Sequence, residues 1–188
     1  LYGLAKTEAA EGNTDQALAH YEQVIARLPL PEYVIEYSDL LTSLGRSEEA
    51  AEQRELVDAQ AQIQRAAGVN LDLELALYDA SHGRERAALV AARTAWSERR
   101  GVFVEDAYAW ALHVNGKDRK ALTHAVAAER IGTRSALFAF HRGMIERSLG
   151  MVPEARRSLQ RALDINPYFS PILAPQARQV LDKLRQDG

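Results

Sequence analysis

The sequence has no cysteine. That excludes disulfides, thiolate zinc sites, iron–sulfur clusters and cysteine nucleophiles together, but fixes no compartment. No stretch approaches the roughly 18 uncharged apolar residues of a membrane-spanning helix. Positive charge is also scarce: 23 Lys and Arg stand against 26 Asp and Glu, for a formal net charge of -3. A nucleic-acid binder needs a clustered positive field, so none is expected here. β-branched residues are sparse, and no apolar–polar alternation bounded by turns occurs, so strands find no support. No serine elbow, phosphate loop or paired-glutamate motif appears, and the chain is read as non-enzymatic, with no cofactor and no metal. The chain opens on Leu1 rather than Met, and is read as a piece of a longer protein whose targeting region lies outside it.

What the sequence does hold is alanine in abundance, 47% apolar residues and 26% charged ones. Alanine leads the helix-propensity scale, so the expectation is an all-helical chain with enough apolar surface to form a core. A repeat organises it. Gly recurs at Gly12, Gly45, Gly83, Gly116 and Gly150, with spacings of 33, 38, 33 and 34. Five residues after each Gly comes Ala17, Ala50, Ala88, Ala121 or Ala155. Seven before it stands a small residue: Ala5, Ser38, Ala76, Ala109 or Gly143. Two copies close on a proline, Pro29 and Pro167. Helices approach closely only where side chains are small, Gly stops a helix by tolerating the left-handed conformation, and Pro ends one. Four positions before Gly stands Leu41 or Leu112 in two copies, but an acid in the others: Glu8, Asp79 and Glu146. The 38-residue spacing predicts an added turn in the helix that includes Glu52 to Ala67.

This pattern resembles the tetratricopeptide repeat, a helix–turn–helix unit. The resemblance covers about residues 1–168. It implies an all-α, right-handed superhelix of about eleven helices in one solenoid domain, 1–188. The repeats span about 1–31, 32–68, 69–101, 102–134 and 135–168, with a capping helix at about 174–186. It also implies that first helices line a concave face and second helices the outside. The register then places Leu73, Leu77, Phe103, Asp106, Trp110, Val114, Phe140 and Met144 in a partner-binding groove, with Trp110, Phe140 and Met144 as anchors. His20 and His124, on second helices, are expected in solvent. Asp106 and His141 are expected to form a hydrogen bond between neighbouring first helices, and Arg142 and Glu146 an inward ion pair. Asp79 and His82 have metal-ligand spacing, but His82 stands beside a capping Gly, and the metal reading is set aside.

Charge varies along the chain. Residues 1–68 carry 12 acids and 5 bases, residues 69–133 carry 9 of each, and residues 134–188 carry 5 acids and 9 bases. The expected function is a protein-interaction scaffold, monomeric, holding a partner peptide or helix. The alternative is a ligand- or peptide-sensing segment of a larger protein.

Overall fold

The computed structural model describes residues 1–186. Among them the chain forms eleven helices and no strand. They are α1 (Tyr2–Glu11), α2 (Thr14–Arg27), α3 (Pro31–Ser43), α4 (Ser47–Ala66), α5 (Asp72–Ser81), α6 (Glu85–Glu98), α7 (Val102–Val114), α8 (Asp118–Ala128), α9 (Ala136–Ser148), α10 (Val152–Ile165) and α11 (Leu173–Gln186).

Each odd helix from α1 to α9 packs on the even helix that follows it. The turn between them is the same five times. Gly12, Gly45, Gly83, Gly116 and Gly150 all take a positive φ, between 70 and 81°. The next residue then donates its backbone N–H to the carbonyl four before the Gly: Asn13 to Glu8, Arg46 to Leu41, Arg84 to Asp79, Lys117 to Leu112 and Met151 to Glu146, at 2.8–2.9 Å. This closes the last turn of the odd helix and satisfies one of its orphan carbonyls. The small residues seven before each Gly, and the alanines five after, are all buried. The longer spacing lies where the sequence puts it: α4 runs 20 residues, against 14 in α2, α6 and α10.

The acidic departures are each given a partner. Glu8 Oε2 lies 2.6 Å from His20 Nδ1. Asp79 pairs with Arg84 at 2.7 Å. Glu146, only 1% exposed, accepts from Ser158 Oγ at 2.6 Å and from Arg142 Nε at 2.8 Å. Arg142 also donates to Glu129 at 2.7 Å. Burial alone would lower the Arg142 guanidinium's pKa; the hydrogen bonds it donates to the Glu146 and Glu129 carboxylates outweigh this and push it up.

The described residues fall into two compact units. One comprises Leu1–Asn70 with Ser170–Ala174, and the other Leu71–Phe169 with the chain from Pro175 onward. In the first, α1 and α2 pack together, α3 packs on α4, and Ala5, Ala17, Tyr21, Tyr37, Leu41 and Ala50 share a core. In the second, α5 lies beside α7 and α7 beside α9, with α6 and α8 packed on them. On α11, Arg185 Nη2 donates to Gln160 of α10 at 2.7 Å, and Ala177, Val180, Leu181 and Leu184 form its buried face.

Candidate protein-interaction site

The second unit holds the groove residues expected from the sequence, and it buries half of them. α5, α7 and α9 lie side by side, so a residue aimed away from its own even helix meets the neighbouring odd helix. Trp110, on α7, is 5% exposed. Its indole stacks on His141 of α9 with centroids 4.3 Å apart and an interplanar angle of 14°. His113 packs on it at 5.0 Å and Phe140 at 5.7 Å. Phe140 is fully buried and meets Phe169 at 5.6 Å. Met144 and Asp106 are buried as well. The expected open anchors are therefore packed side chains in this structure, because aromatic and imidazole rings from α7 and α9 close on one another. The Trp110 Nε1–H is the polar price of this packing, buried with no hydrogen-bond acceptor among the described residues.

Asp106 serves that packing. His141 Nδ1 sits 3.0 Å from both of its carboxylate oxygens, which fixes the imidazole face against Trp110. This is the hydrogen bond between first helices that the sequence led us to expect. Glu105, one residue earlier, turns the other way. It accepts from Trp96 Nε1 of α6 at 3.2 Å and lies 2.6 Å from His124 Nδ1 of α8. His124 also packs on Tyr108 at 4.7 Å and on Trp96 at 5.5 Å. The expectation that His20 and His124 stand in solvent is thus corrected: both are turned onto carboxylates of the preceding odd helix. An acid on the odd helix that could meet them was the available signal.

Of the other groove candidates, Leu73 and Leu77 on α5 and Val114 on α7 are half-buried. Phe103, in the first turn of α7, is 62% exposed and meets the buried Phe138 of α9 edge-on at 5.5 Å. Asp79 and His82, which have metal-ligand spacing, go separate ways, Asp79 to Arg84 and His82 Nδ1 to the Tyr78 carbonyl at 2.7 Å, while His113 on α7 pairs with Asp118. Among the described residues no group of three metal-ligating side chains gathers.

The first unit carries a feature the sequence reading passed over, a tyrosine cluster threaded with carboxylates. Tyr2 of α1 lies 4.2 Å from Tyr33 and 6.2 Å from Tyr21, and Tyr21 stacks on Tyr37 at 5.7 Å. Tyr21 donates to Glu36 at 3.2 Å and Tyr37 to Glu22 at 2.9 Å. Burial, and then the charge of Glu36, pushes the Tyr2 and Tyr21 hydroxyls well above the ordinary tyrosine range; burial and the Glu22 hydrogen bond do the same to Tyr37. A folded pKa above the unfolded one adds stability that is fully present below the unfolded value near 10 and lost as pH rises toward the folded one. The urea midpoint of the first unit is therefore expected to fall as pH rises above about 10. Tyr21→Phe should flatten that fall, and an unchanged slope in the variant would remove Tyr21 from the account.

None of the described helices is long and apolar enough to cross a membrane. A comparison with curated proteins finds no match. The family model described as tetratricopeptide repeat matches residues 1–30, the span of α1 and α2. That match and the all-helical, eleven-helix build fit a tetratricopeptide-repeat protein, a family that points to protein–protein interaction scaffolds.

Proposed function

We propose that the chain is a non-enzymatic scaffold whose helix pairs are five repeats with the bounds read from the sequence, and that a peptide or helix of a protein partner docks across α5 and α7 of the second unit. The observation that carries this is Phe103, a large aromatic left 62% exposed while every other phenylalanine of the chain is at least half-buried. Leu73 and Leu77 stand half-buried on the adjacent α5, and Val114 at the far end of α7. Trp110, Phe140, Met144 and Asp106 are packed behind this face and act by holding its shape. An exposed aromatic is the kind of side chain that interfaces concentrate at their centre. The scaffold acts as a monomer on a protein partner, with no cofactor and no nucleic acid.

The test is to select binders from a random peptide library on the immobilised chain and measure them against Phe103→Ala and Leu77→Ala. Phe103→Ala should cost more than about 2 kcal/mol of binding, while its effect on folding stays within about 0.5 kcal/mol because the ring is mostly in solvent. Selected peptides that bind the variants as well as the parent would sink this face as the site.

A further inference from the structure

We infer that the face built by α1 and α3 in the first unit takes a lysine or arginine side chain from a basic segment of a protein partner, seated between the Tyr2–Tyr33 ring pair and the Glu36 carboxylate. This rests on the reading of the chain as a peptide-binding scaffold, but on different helices from the α5–α7 face.

Three observations converge. The first is charge. α1 and α3 together carry Glu8, Glu11, Glu32, Glu36 and Asp39 against one base, Lys6. The surrounding residues 1–68 hold 12 acids and 5 bases. A basic segment is the complementary partner. The second is the rings. Tyr2 and Tyr33 are both half-buried and 4.2 Å apart, a π surface that attracts a cation beside it. The third is that a cation is already there. Lys6 Nζ lies 5.1 Å from the Tyr2 centroid and 2.8 Å from Glu36 Oε1. The chain's own ammonium thus marks the position of the incoming charge.

That occupant is replaceable. The Lys6 side chain is 47% exposed, and an ion pair open to water on this scale holds weakly. A guanidinium fits the place better than an ammonium. It can stack flat on a tyrosine ring while its fork meets a carboxylate at two points, and it sheds its hydration more easily. Glu36 is held ready for it, because Tyr21, fully inside the core, donates to its other oxygen at 3.2 Å. Glu32, exposed one turn earlier on α3, offers the next basic side chain a second partner.

The probe is a dye-labelled peptide of alternating arginine and glycine, with the glutamine–glycine peptide as its control, followed by fluorescence anisotropy at about 0.1 M salt, where long-range attraction is largely screened. Lys6→Gln should tighten binding about threefold or more, by vacating the rings and Glu36. Arg27→Gln removes the same charge from exposed α2 and should have a much smaller effect. Tyr33→Leu should weaken binding about threefold or more with the helical circular dichroism unchanged. If Lys6→Gln and Arg27→Gln act alike, the attraction is the overall charge of the unit and the inference is overturned. Equal binding of the arginine and glutamine peptides overturns it too. So does a salt-sensitive dimer that excludes the peptide, since the arginines of α10 and α11 in a second copy would then be the occupant. Phe103→Ala must leave this binding untouched, so the two faces fail or stand separately.

Discussion

Trp110→Ala is expected to unfold the second unit far more readily, at a cost of about 3–5 kcal/mol. The register of the repeat aims this indole away from α8 and so toward an open groove, where truncation would affect binding and leave the fold alone. The packing reverses that expectation. At 5% exposure the ring is sandwiched by the His141 and His113 imidazoles and flanked by Phe140, and α7 and α9 meet through it. Removing it leaves a cavity the size of an indole between two helices held apart by their own backbones, and it strips the Asp106–His141 pair of the face it rests on. Phe103→Ala, on the same helix, should be nearly silent in stability. Chemical denaturation of both variants reads the contrast. Intrinsic fluorescence should show a blue-shifted Trp110 component in a Trp96→Phe background. A Trp110→Ala protein with an unchanged midpoint would return the indole to the surface.

The turns and close contacts of this fold are written in residues whose conformational limits act locally. Gly at a positive φ and Ala between two helices each admit little else, so Gly116 with Ala109 and Ala121 announces a helix pair without any knowledge of its neighbours. The length of α4 is legible in the same way, from the spacing of Gly45 and Gly83. Exposure is a different matter. A register says which way Trp110 points and nothing about what it meets. Phe140 and His141 lie some 30 residues away in the chain, and only the side-by-side packing of α7 and α9 brings them over the indole. His124 fails for a related reason. A histidine on the outer helix of a pair belongs in solvent unless a carboxylate comes within reach, and Glu105 does so from the first turn and a half of α7. The tyrosine cluster of the first unit was hidden differently again. Tyr2, Tyr21, Tyr33 and Tyr37 come from three helices and follow no shared repeat position, so periodicity had no means to collect them.

The α9–α10 contact offers the sharpest test of how the helix pairs are matched. A Cβ built on Gly143 would lie 2.8 Å from Leu159 Cγ, 2.9 Å from its Cδ2 and 3.1 Å from its backbone nitrogen. One repeat earlier the equivalent residues are Ala109 and Ala125, both buried in one cluster. The chain thus solves the same crossing twice, once with glycine facing leucine and once with alanine facing alanine. Gly143→Ala gains about 1 kcal/mol of helix propensity. It also drives a methyl into a fully buried leucine, and overpacking of that kind costs about 1–3 kcal/mol, so the net effect is destabilising. Leu159→Ala alone leaves a cavity and should cost about 2–5 kcal/mol. The two together should cost less than the sum of the singles by at least about 1 kcal/mol, because removing the leucine branch frees the space the new methyl needs. Full recovery is not expected, since the backbone nitrogen at 3.1 Å stays where it is. Urea denaturation of the four proteins measures the coupling. Additivity within about 0.5 kcal/mol would mean that the two sites do not compete for the same volume, and the matched-size account of this helix pair would fall.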